Sequence, residues 1–237
     1  MDWMSIVALA CFFLVLVFTV KIYGDFNPRP SFNPVRFMAR VAIFGAMATL
    51  LYVVPVFHFT LPFLPSFLEF HFDEIPAFIC GFAYGPWAAF CVIAIKTIIK
   101  LPFTSTMMVG ELTDLVLSTF YVIPAVLIYG KVRNLKGVAL AFGISAFIQL
   151  VMSMVLNVYV LIPFYIYMMG FSESGLLYVV HQAIPAITDM KWSYALLGVL
   201  PFNALKDAMV IIVTFLIYRS IHVWLHWDGS KQKKKAD

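Results

Sequence analysis

Two polar residues in the last apolar stretch of the chain have the types and spacing of a small-molecule site. Asn203 and Lys206 lie three apart in the sequence PFNALKD, so they share one face of a helix. A lysine inside an apolar helix is costly unless it finds a partner or water. Pairing of Lys206 with Asp207 or Asp189 is the structural alternative to a binding role, and both interpretations remain open.

Asn157 is a third polar residue in apolar surroundings, within the sequence LNVYVLIPFY. An isolated amide needs a hydrogen-bond partner, which another helix or a ligand supplies equally well. Taken together, Asn157, Asn203 and Lys206 predict a pocket for a flat, uncharged molecule with polar edges. Amide groups match the carbonyl and N–H edges of a ring, and aromatic side chains match its faces.

The segment 58–74 is the predicted cover of this pocket. It reads HFTLPFLPSFLEFHFDE, with two prolines, five phenylalanines and no lysine or arginine. Because exposing such a loop to water is unfavourable, we expect it to fold back onto the helices as a lid. A re-entrant or interfacial segment without a ligand is the alternative.

Glu111 and Asp114 form an acidic pair in the sequence GELTD, with Lys96 shortly before them. We expect a neutralised charge cluster at the cytoplasmic end of the helices. A proton-coupling site is the alternative.

The remaining reactive side chains do not form the sets that catalysis or metal binding requires. The polar groups of the apolar stretches include no nucleophile–base pair, and the cysteines and histidines are too scattered for a metal site. These residues are Cys11, Cys80 and Cys91, and His58, His71 and His181; His222 and His226, four apart at the predicted cytoplasmic exit of the last helix, favour interfacial anchoring. We therefore expect no catalytic residue and no bound metal. The chain has no Walker A sequence, so any dependence on ATP must come from partners.

The elements that position these residues are predicted to be membrane helices. Hydrophobic residues make up 63% of the 237-residue chain and charged residues only 12%, and the mean hydropathy is +0.95. A soluble domain usually carries about 25% charged residues, so an all-α membrane protein is the predicted fold class. Seven runs approach the length of a spanning helix: 3–23, 36–57, 75–99, 109–130, 137–163, 174–190 and 195–226.

The first run is predicted to be an extra, uncleaved helix. Its start carries Asp2 and no lysine or arginine, and no small-residue cleavage site follows, which argues against the alternative of a signal peptide. We divide the chain into an N-terminal transmembrane helix and linker (1–35), a six-helix substrate-binding membrane domain (36–226) and a basic cytoplasmic tail (227–237). The lysine-rich tail is typical of an anchor on anionic lipid rather than of a nucleic-acid site.

The distribution of lysine and arginine predicts the orientation. If run 36–57 starts in the cytoplasm, eleven basic residues lie inside and four outside. Lys96 and Lys100 then fall inside, and Lys131, Arg133 and Lys136 fall outside. In this arrangement Asn157 lies about 20 residues, or about 30 Å, down its helix. Asn203 lies only about eight residues into its own helix, so a shared ligand requires run 137–163 to start above the membrane or to tilt strongly.

Small residues three and four apart mark one face of run 36–57. These residues are Ala39, Ala42, Gly45, Ala46 and Thr49. They allow another helix to approach closely, either within this chain or in a different membrane subunit.

Four ordered motifs resemble one family of membrane proteins. They are LPFLPSFLEFHFDEIPAFICGFAYGPWAA, VGELTDLVLSTFYVIPAVLIYG, LNVYVLIPFY and LPFNALKDAMVIIVTFLIYR. In order and spacing, over about residues 36–222, they are similar to the riboflavin-binding S component of energy-coupling-factor (ECF) vitamin transporters.

The resemblance implies a six-helix S-component core plus one extra N-terminal transmembrane helix. The subunit would have no chemistry of its own and no cofactor; it would capture riboflavin outside the plasma membrane of a prokaryote. It would deliver the vitamin inward with a membrane coupling subunit and two cytoplasmic ATPases. Another water-soluble vitamin or flavin, or a self-standing secondary transporter, is the alternative.

The resemblance also assigns residues. Those that would contact the flavin are Asn157, Asn203 and Lys206; those that would form the lid are Phe67, Leu68 and Phe70; and those that would meet the coupling subunit are Ala42 and Ala46.

Overall fold

A computed structural model describes residues 34–60, 69–104, 106–132 and 135–225, and this part of the chain is almost entirely helical. Its α-helices are α1 (Pro34–Val53), α2 (Glu74–Tyr84), α3 (Pro86–Lys100), α4 (Val109–Lys131), α5 (Leu135–Leu156), α6 (Ile162–Tyr167), α7 (Glu173–Ala183), α8 (Trp192–Tyr194) and α9 (Leu200–Leu225). The predicted all-α fold class is confirmed. Run 3–23, Phe67, Leu68 and the basic tail lie outside the described residues.

Two π-helical turns make longer helices continuous. Asn157–Leu161 joins α5 to α6, and Ala195–Val199 joins α8 to α9. Each turn ends just before a proline, Pro163 or Pro201. A helical proline lacks an N–H and its ring crowds the carbonyl four residues earlier, so a local change in hydrogen bonding is expected there.

Gly85 divides the predicted run 75–99 into two helices. Its φ of 94° and ψ of 171° belong to a region that essentially only glycine adopts. Pro86 then begins α3, where a missing N–H is tolerated. Asp73, at the start of α2, contacts Lys96 near the end of α3, so the two helices form an antiparallel hairpin. The expectation of one crossing over this run is therefore wrong.

The hairpin defines two ends of the bundle. At the loop end, where α1 finishes and α2 begins, the Tyr52 ring lies 4.8 Å from the Lys96 ammonium and 5.3 Å from the Lys100 ammonium. At the tail end, where α1 begins and α2 finishes, the Arg40 guanidinium lies 4.4 Å from the Tyr84 ring.

The later helices use the same two ends. α4 starts at the loop end, where Asp114 contacts Lys96, and finishes at the tail end, where the Tyr129 and Tyr218 hydroxyls lie 2.9 Å apart. Relative to the start of α1, Lys96 and Lys100 therefore lie at the opposite end and Lys131 at the same end, which reverses the predicted arrangement because of one extra reversal at Gly85.

Within the described ranges, five helical stretches are long and apolar enough to cross a membrane. They are Pro34–Val53, Pro86–Phe103, Val109–Lys131, Gly137–Tyr167 and Trp192–Ser220. α2 is apolar but has only 11 residues, and the predicted run 174–190 contains only the 11-residue α7. The protein is a multi-pass membrane protein, and the count of six core helices plus one stays a prediction.

An aromatic cluster holds the helices together below the loop end. The Phe78 ring on α2 meets Tyr121 of α4 edge-on at 4.8 Å and Phe142 of α5 at 5.3 Å. All three rings are buried. Edge-to-face contacts of this kind add to the stabilisation that burial provides, so they help to hold α2, α4 and α5 together.

Candidate functional site

Asn157 lies on the wall of a cavity of about 500 Å³ near the loop end. It begins the π-helical turn, where its carbonyl accepts the Ile162 N–H. Its side-chain amide donates to the Ser153 carbonyl oxygen at 2.9 Å. The π-helical turn therefore places an amide group at the cavity.

The cavity is lined mainly by apolar and aromatic side chains. Tyr165 belongs to α6, Val179 belongs to α7 and Tyr194 ends α8, while Thr106 lies just before α4. Pockets for small organic ligands usually have about 300–1,000 Å³ and a few placed polar groups, and this cavity fits that range.

Asn203 lies deeper, in a buried amide pair. Gln149 of α5 donates from its side-chain nitrogen to the Asn203 side-chain oxygen at 3.1 Å, and Asn203 donates to the Val199 carbonyl at 2.8 Å. Asn203 is not among the residues that line the cavity of Asn157. Gln149 and Asn157 are eight residues apart on one continuous helix, so the amide pair lies about 12 Å along the helix axis from Asn157.

The direction of α5 removes the predicted need for run 137–163 to start above the membrane or to tilt strongly. Because α5 rises from the tail end and α9 descends from the loop end, Asn157 and Asn203 both lie in the loop-end half of the bundle.

Lys206 is buried and paired with Glu74, which the sequence did not predict as its partner. Its ammonium donates to the Glu74 carboxylate at 2.7 Å and lies 3.4 Å from both ring nitrogens of His71. The expected structural partners were Asp207 and Asp189. Asp207 is buried with neither carboxylate oxygen hydrogen-bonded among the described residues, and Asp189 instead accepts from the Lys191 and Ser193 backbone N–H groups.

Lys96 forms the other half of a buried ionic cluster. Its ammonium contacts Asp73 and lies 2.8 Å from the Asp114 carboxylate and 2.9 Å from the Ser118 hydroxyl. The predicted pairing with Asp114 is present, but at the loop end. Glu111 takes no part in it, because its carboxylate accepts from the Thr104 and Thr106 hydroxyls.

His71 connects the two halves of this cluster. Its ring contacts Asp73 and lies 3.9 Å from the Asp114 carboxylate. The two lysine ammoniums lie against the three carboxylates of Asp73, Glu74 and Asp114, so most of the buried charge is neutralised within the cluster. Low-dielectric surroundings favour such neutrality, since an unpaired buried charge is costly.

Four residues of the cluster also offer atoms that metals accept. Donor atoms of His71, Asp73, Glu74 and Asp114 all lie within 4.8 Å of one another. The two lysine ammoniums already lie against three of these side chains. The arrangement therefore serves charge neutralisation, and its chemistry is that of an ion-pair network.

The base of the predicted lid is a pair of stacked rings. Phe59 and Phe70 form an isolated antiparallel bridge, with parallel rings 5.1 Å apart. Phe70 is fully buried and meets Phe202 edge-on at 4.7 Å, next to Asn203. Phe70, at the described end of the predicted lid segment, thus packs against the start of α9.

His58 stands beside this base, 6.2 Å from the His71 ring and 3.5 Å from the Glu69 carboxylate. Partial burial lowers the pKa of His58, because the charged ring loses hydration, and His71 acts in the same direction. His58 and His71 are separated in the sequence, but the fold brings their two rings close together.

Ala42 and Ala46 are exposed on α1, while Gly45 and Ala48 between and beside them are buried. The small-residue face therefore divides into an inner part that packs within this chain and an outer part available to another helix.

Several residues around the site were missed from the sequence. Gln149 carried one usable signal: Ser145, Gln149, Ser153 and Asn157 recur every four residues, and this spacing aligns side chains along one helix face. Glu74 had no comparable signal, because its partner Lys206 lies far away in the chain, and the same is true of the approach of His71 to Lys206.

Comparisons with known proteins agree with this fold. The family model for "ECF transporter, substrate-specific component" matches residues 36–218. "Riboflavin transporter FmnP" of Bacillus subtilis (strain 168) is 24% identical over 195 residues, covering 81% of this chain and 96% of the relative. "Riboflavin transporter RibU" of Staphylococcus aureus (strain TCH60) is 24% identical over 182 residues, covering 77% and 89% respectively.

A solved structure, reported as "Structure and mechanism of the S component of a bacterial ECF transporter", has a similar fold. The TM-score is 0.65 at 24% identity, and the match covers 82% of this chain and all of the other.

Proposed function

The chain belongs to the family of ECF transporter substrate-specific components, and from this premise we propose that it binds riboflavin for import. It is a transport protein rather than an enzyme. Two relatives that it resembles over most of their length carry the name of riboflavin transporters, which supports this vitamin as the cargo.

The cavity at Asn157 carries the proposal. It has the volume of a small-molecule pocket, aromatic and apolar walls, and an amide that can meet a polar ring edge. A tricyclic ring with a five-carbon polyol chain is long enough to extend from Asn157 toward the amide pair at Asn203. Phe70 and Phe202 lie beside that pair and offer aromatic surface.

Lys206 takes part in this proposal as a donor to the cargo. In the structure its ammonium bonds to Glu74. An ammonium has three N–H donors, so it can keep Glu74 and also donate to a carbonyl oxygen of the ring. Phe67 and Leu68 are proposed to complete the lid above the bound vitamin.

Partners are proposed to supply the energy. The chain has no Walker A sequence, and a coupling subunit with two cytoplasmic ATPases would fill this role in the plasma membrane of a prokaryote. The exposed Ala42 and Ala46 on α1 fit a close helix–helix contact with such a subunit. The substrate-binding unit is proposed to be residues 36–226, with 1–35 as an added helix and linker and 227–237 as a tail.

Ligand binding tests the proposal directly. Purified protein should quench riboflavin fluorescence at nanomolar to low-micromolar concentration. Asn157→Ala, Asn203→Ala and Lys206→Ala should each weaken binding by about 1–3 kcal/mol, because each removes a buried hydrogen bond to the ligand.

Gln182→Ala is the matched control. It removes an exposed amide on α7 that does not line the cavity, so the affinity should stay unchanged. Absence of quenching, together with a rise in melting temperature on adding another vitamin, would reject riboflavin as the cargo. Unchanged affinity in one of the three variants would remove that residue from the site.

A further inference from the structure

Gln149 is a buried amide whose hydrogen bonding is incomplete. Its side chain belongs to a residue only 3% exposed, in the middle of α5. The side-chain nitrogen donates to Asn203 at 3.1 Å. The side-chain oxygen is buried with no hydrogen-bond partner among the described residues. A buried acceptor left without a donor is unfavourable, so we expect this oxygen to accept a hydrogen bond from an N–H or O–H group that the described residues do not supply.

The neighbouring groups do not supply this donor. The Asn203 nitrogen donates to the Val199 carbonyl, and the Ser153 hydroxyl, one turn along α5, donates to the Leu150 carbonyl. On the other side along α5, the Ser145 hydroxyl donates to the Phe142 carbonyl. The local donors therefore point to backbone oxygens and leave the Gln149 oxygen available.

The hydrogen bonds within the amide pair determine which of its polar atoms lack a partner. The Asn203 oxygen accepts from Gln149, so the Gln149 oxygen is the one buried polar heavy atom of the pair that has no hydrogen-bond partner among the described residues, and it is an acceptor. Lys206, one turn further along α9, supplies only donors. Together they match a ring edge that presents an N–H beside a carbonyl, which is the pattern of an imide.

We propose that Gln149 accepts a hydrogen bond from the imide N–H of the cargo and so selects for ligands that carry this group. The inference rests on the proposed function, because the isoalloxazine ring of riboflavin has one such N–H between two carbonyls. Gln149 would make binding depend on the hydrogen-bond donors and acceptors at the ring edge, which aromatic packing alone cannot distinguish. A pocket that hydrogen-bonds a polar group rejects ligands lacking it, because its own polar atom is then left unpaired.

Paired changes in protein and ligand test this assignment. The full-length protein is titrated with riboflavin and with N3-methylriboflavin, which lacks the imide N–H, and Gln149→Met is compared with the unaltered chain. We expect the unaltered protein to prefer riboflavin by about tenfold or more, the effect of one buried hydrogen bond. Gln149→Met should bind riboflavin about tenfold more weakly and lose most of this preference.

Ser153→Ala is the matched control, since it alters the same helix face one turn away, and it should keep both the affinity and the preference. Melting temperatures without ligand verify that each variant is folded. If Gln149→Met retains the full preference for riboflavin, Gln149 is not the acceptor and the inference fails while the proposed function stands. If the unaltered protein binds neither flavin, the proposed function and the inference both fail.

Discussion

Lys206 illustrates how single residues are kept charged in the interior of this protein. Its ammonium is buried and bonded to Glu74, which itself begins α2 at the foot of the 58–74 loop. The pair joins the start of α2 to α9 and so helps to position Lys206, the proposed donor to the cargo. Breaking a buried ion pair on one side leaves the other charge uncompensated, which costs far more than the pair contributes.

Truncation of Glu74 should therefore destabilise the protein strongly. Glu74→Ala is expected to lower the free energy of unfolding by about 3–5 kcal/mol, measured by denaturant unfolding in detergent micelles. Glu69→Ala is the control, because that side chain is 54% exposed and lies 3.5 Å from His58, a surface pair worth at most about 1 kcal/mol. Equal, small losses for both variants would contradict the dependence of Lys206 on Glu74.

At the scale of elements, three short irregularities position the site. The π-helical turn at Asn157–Leu161 presents Asn157 to the cavity, and the turn at Ala195–Val199 precedes Asn203. The reversal at Gly85 limits α2 to 11 residues, so its start lies within the bundle where Glu74 can meet Lys206. Regular helices of full spanning length would not bring these residues together.

A side chain at Gly85 should disturb this reversal. Gly85→Ala is expected to cost about 1–3 kcal/mol in unfolding free energy, because its backbone conformation is strained for any residue with a Cβ atom. Gly130→Ala in α4 is the control: a Cβ there meets open space, and alanine favours the helix by up to about 1 kcal/mol. The comparison uses the same unfolding assay, and a Gly85→Ala protein as stable as Gly130→Ala would contradict the proposed strain.

At the scale of the whole molecule, the two ends of the bundle differ in charge. Arg36, Arg40, Lys131 and Arg219 lie at the tail end, whereas Lys100 and Lys191 lie at the loop end and Lys96 is buried in the ionic cluster. The excess of basic residues favours the tail end as the cytoplasmic end. The cavity at Asn157 would then face the outside, as capture of a vitamin requires.

Cysteine labelling tests this orientation. The native Cys11, Cys80 and Cys91 are first replaced by alanine, and single cysteines are introduced as Phe103→Cys or Lys131→Cys. A membrane-impermeant thiol reagent should label position 103 on intact cells and position 131 only after permeabilisation, since these residues lie at opposite ends. Labelling of position 131 on intact cells would reverse the assignment.

The sequence by itself determined the fold class, the family motifs and the residue types of the site. Scarcity of charge specifies a membrane protein, and Asn157 and Lys206 stand out because polar groups in apolar helices are costly. The roles of the eight assigned residues stay predictions. What only the tertiary structure decided was which helix ends meet and which partners polar groups find. A single reversal at Gly85 exchanged the sides of Lys96 and Lys131, and Glu74 reached Lys206 across 132 positions. Long-range pairings of this kind arise from packing of distant elements, and hydrophobic periodicity carries no information about them.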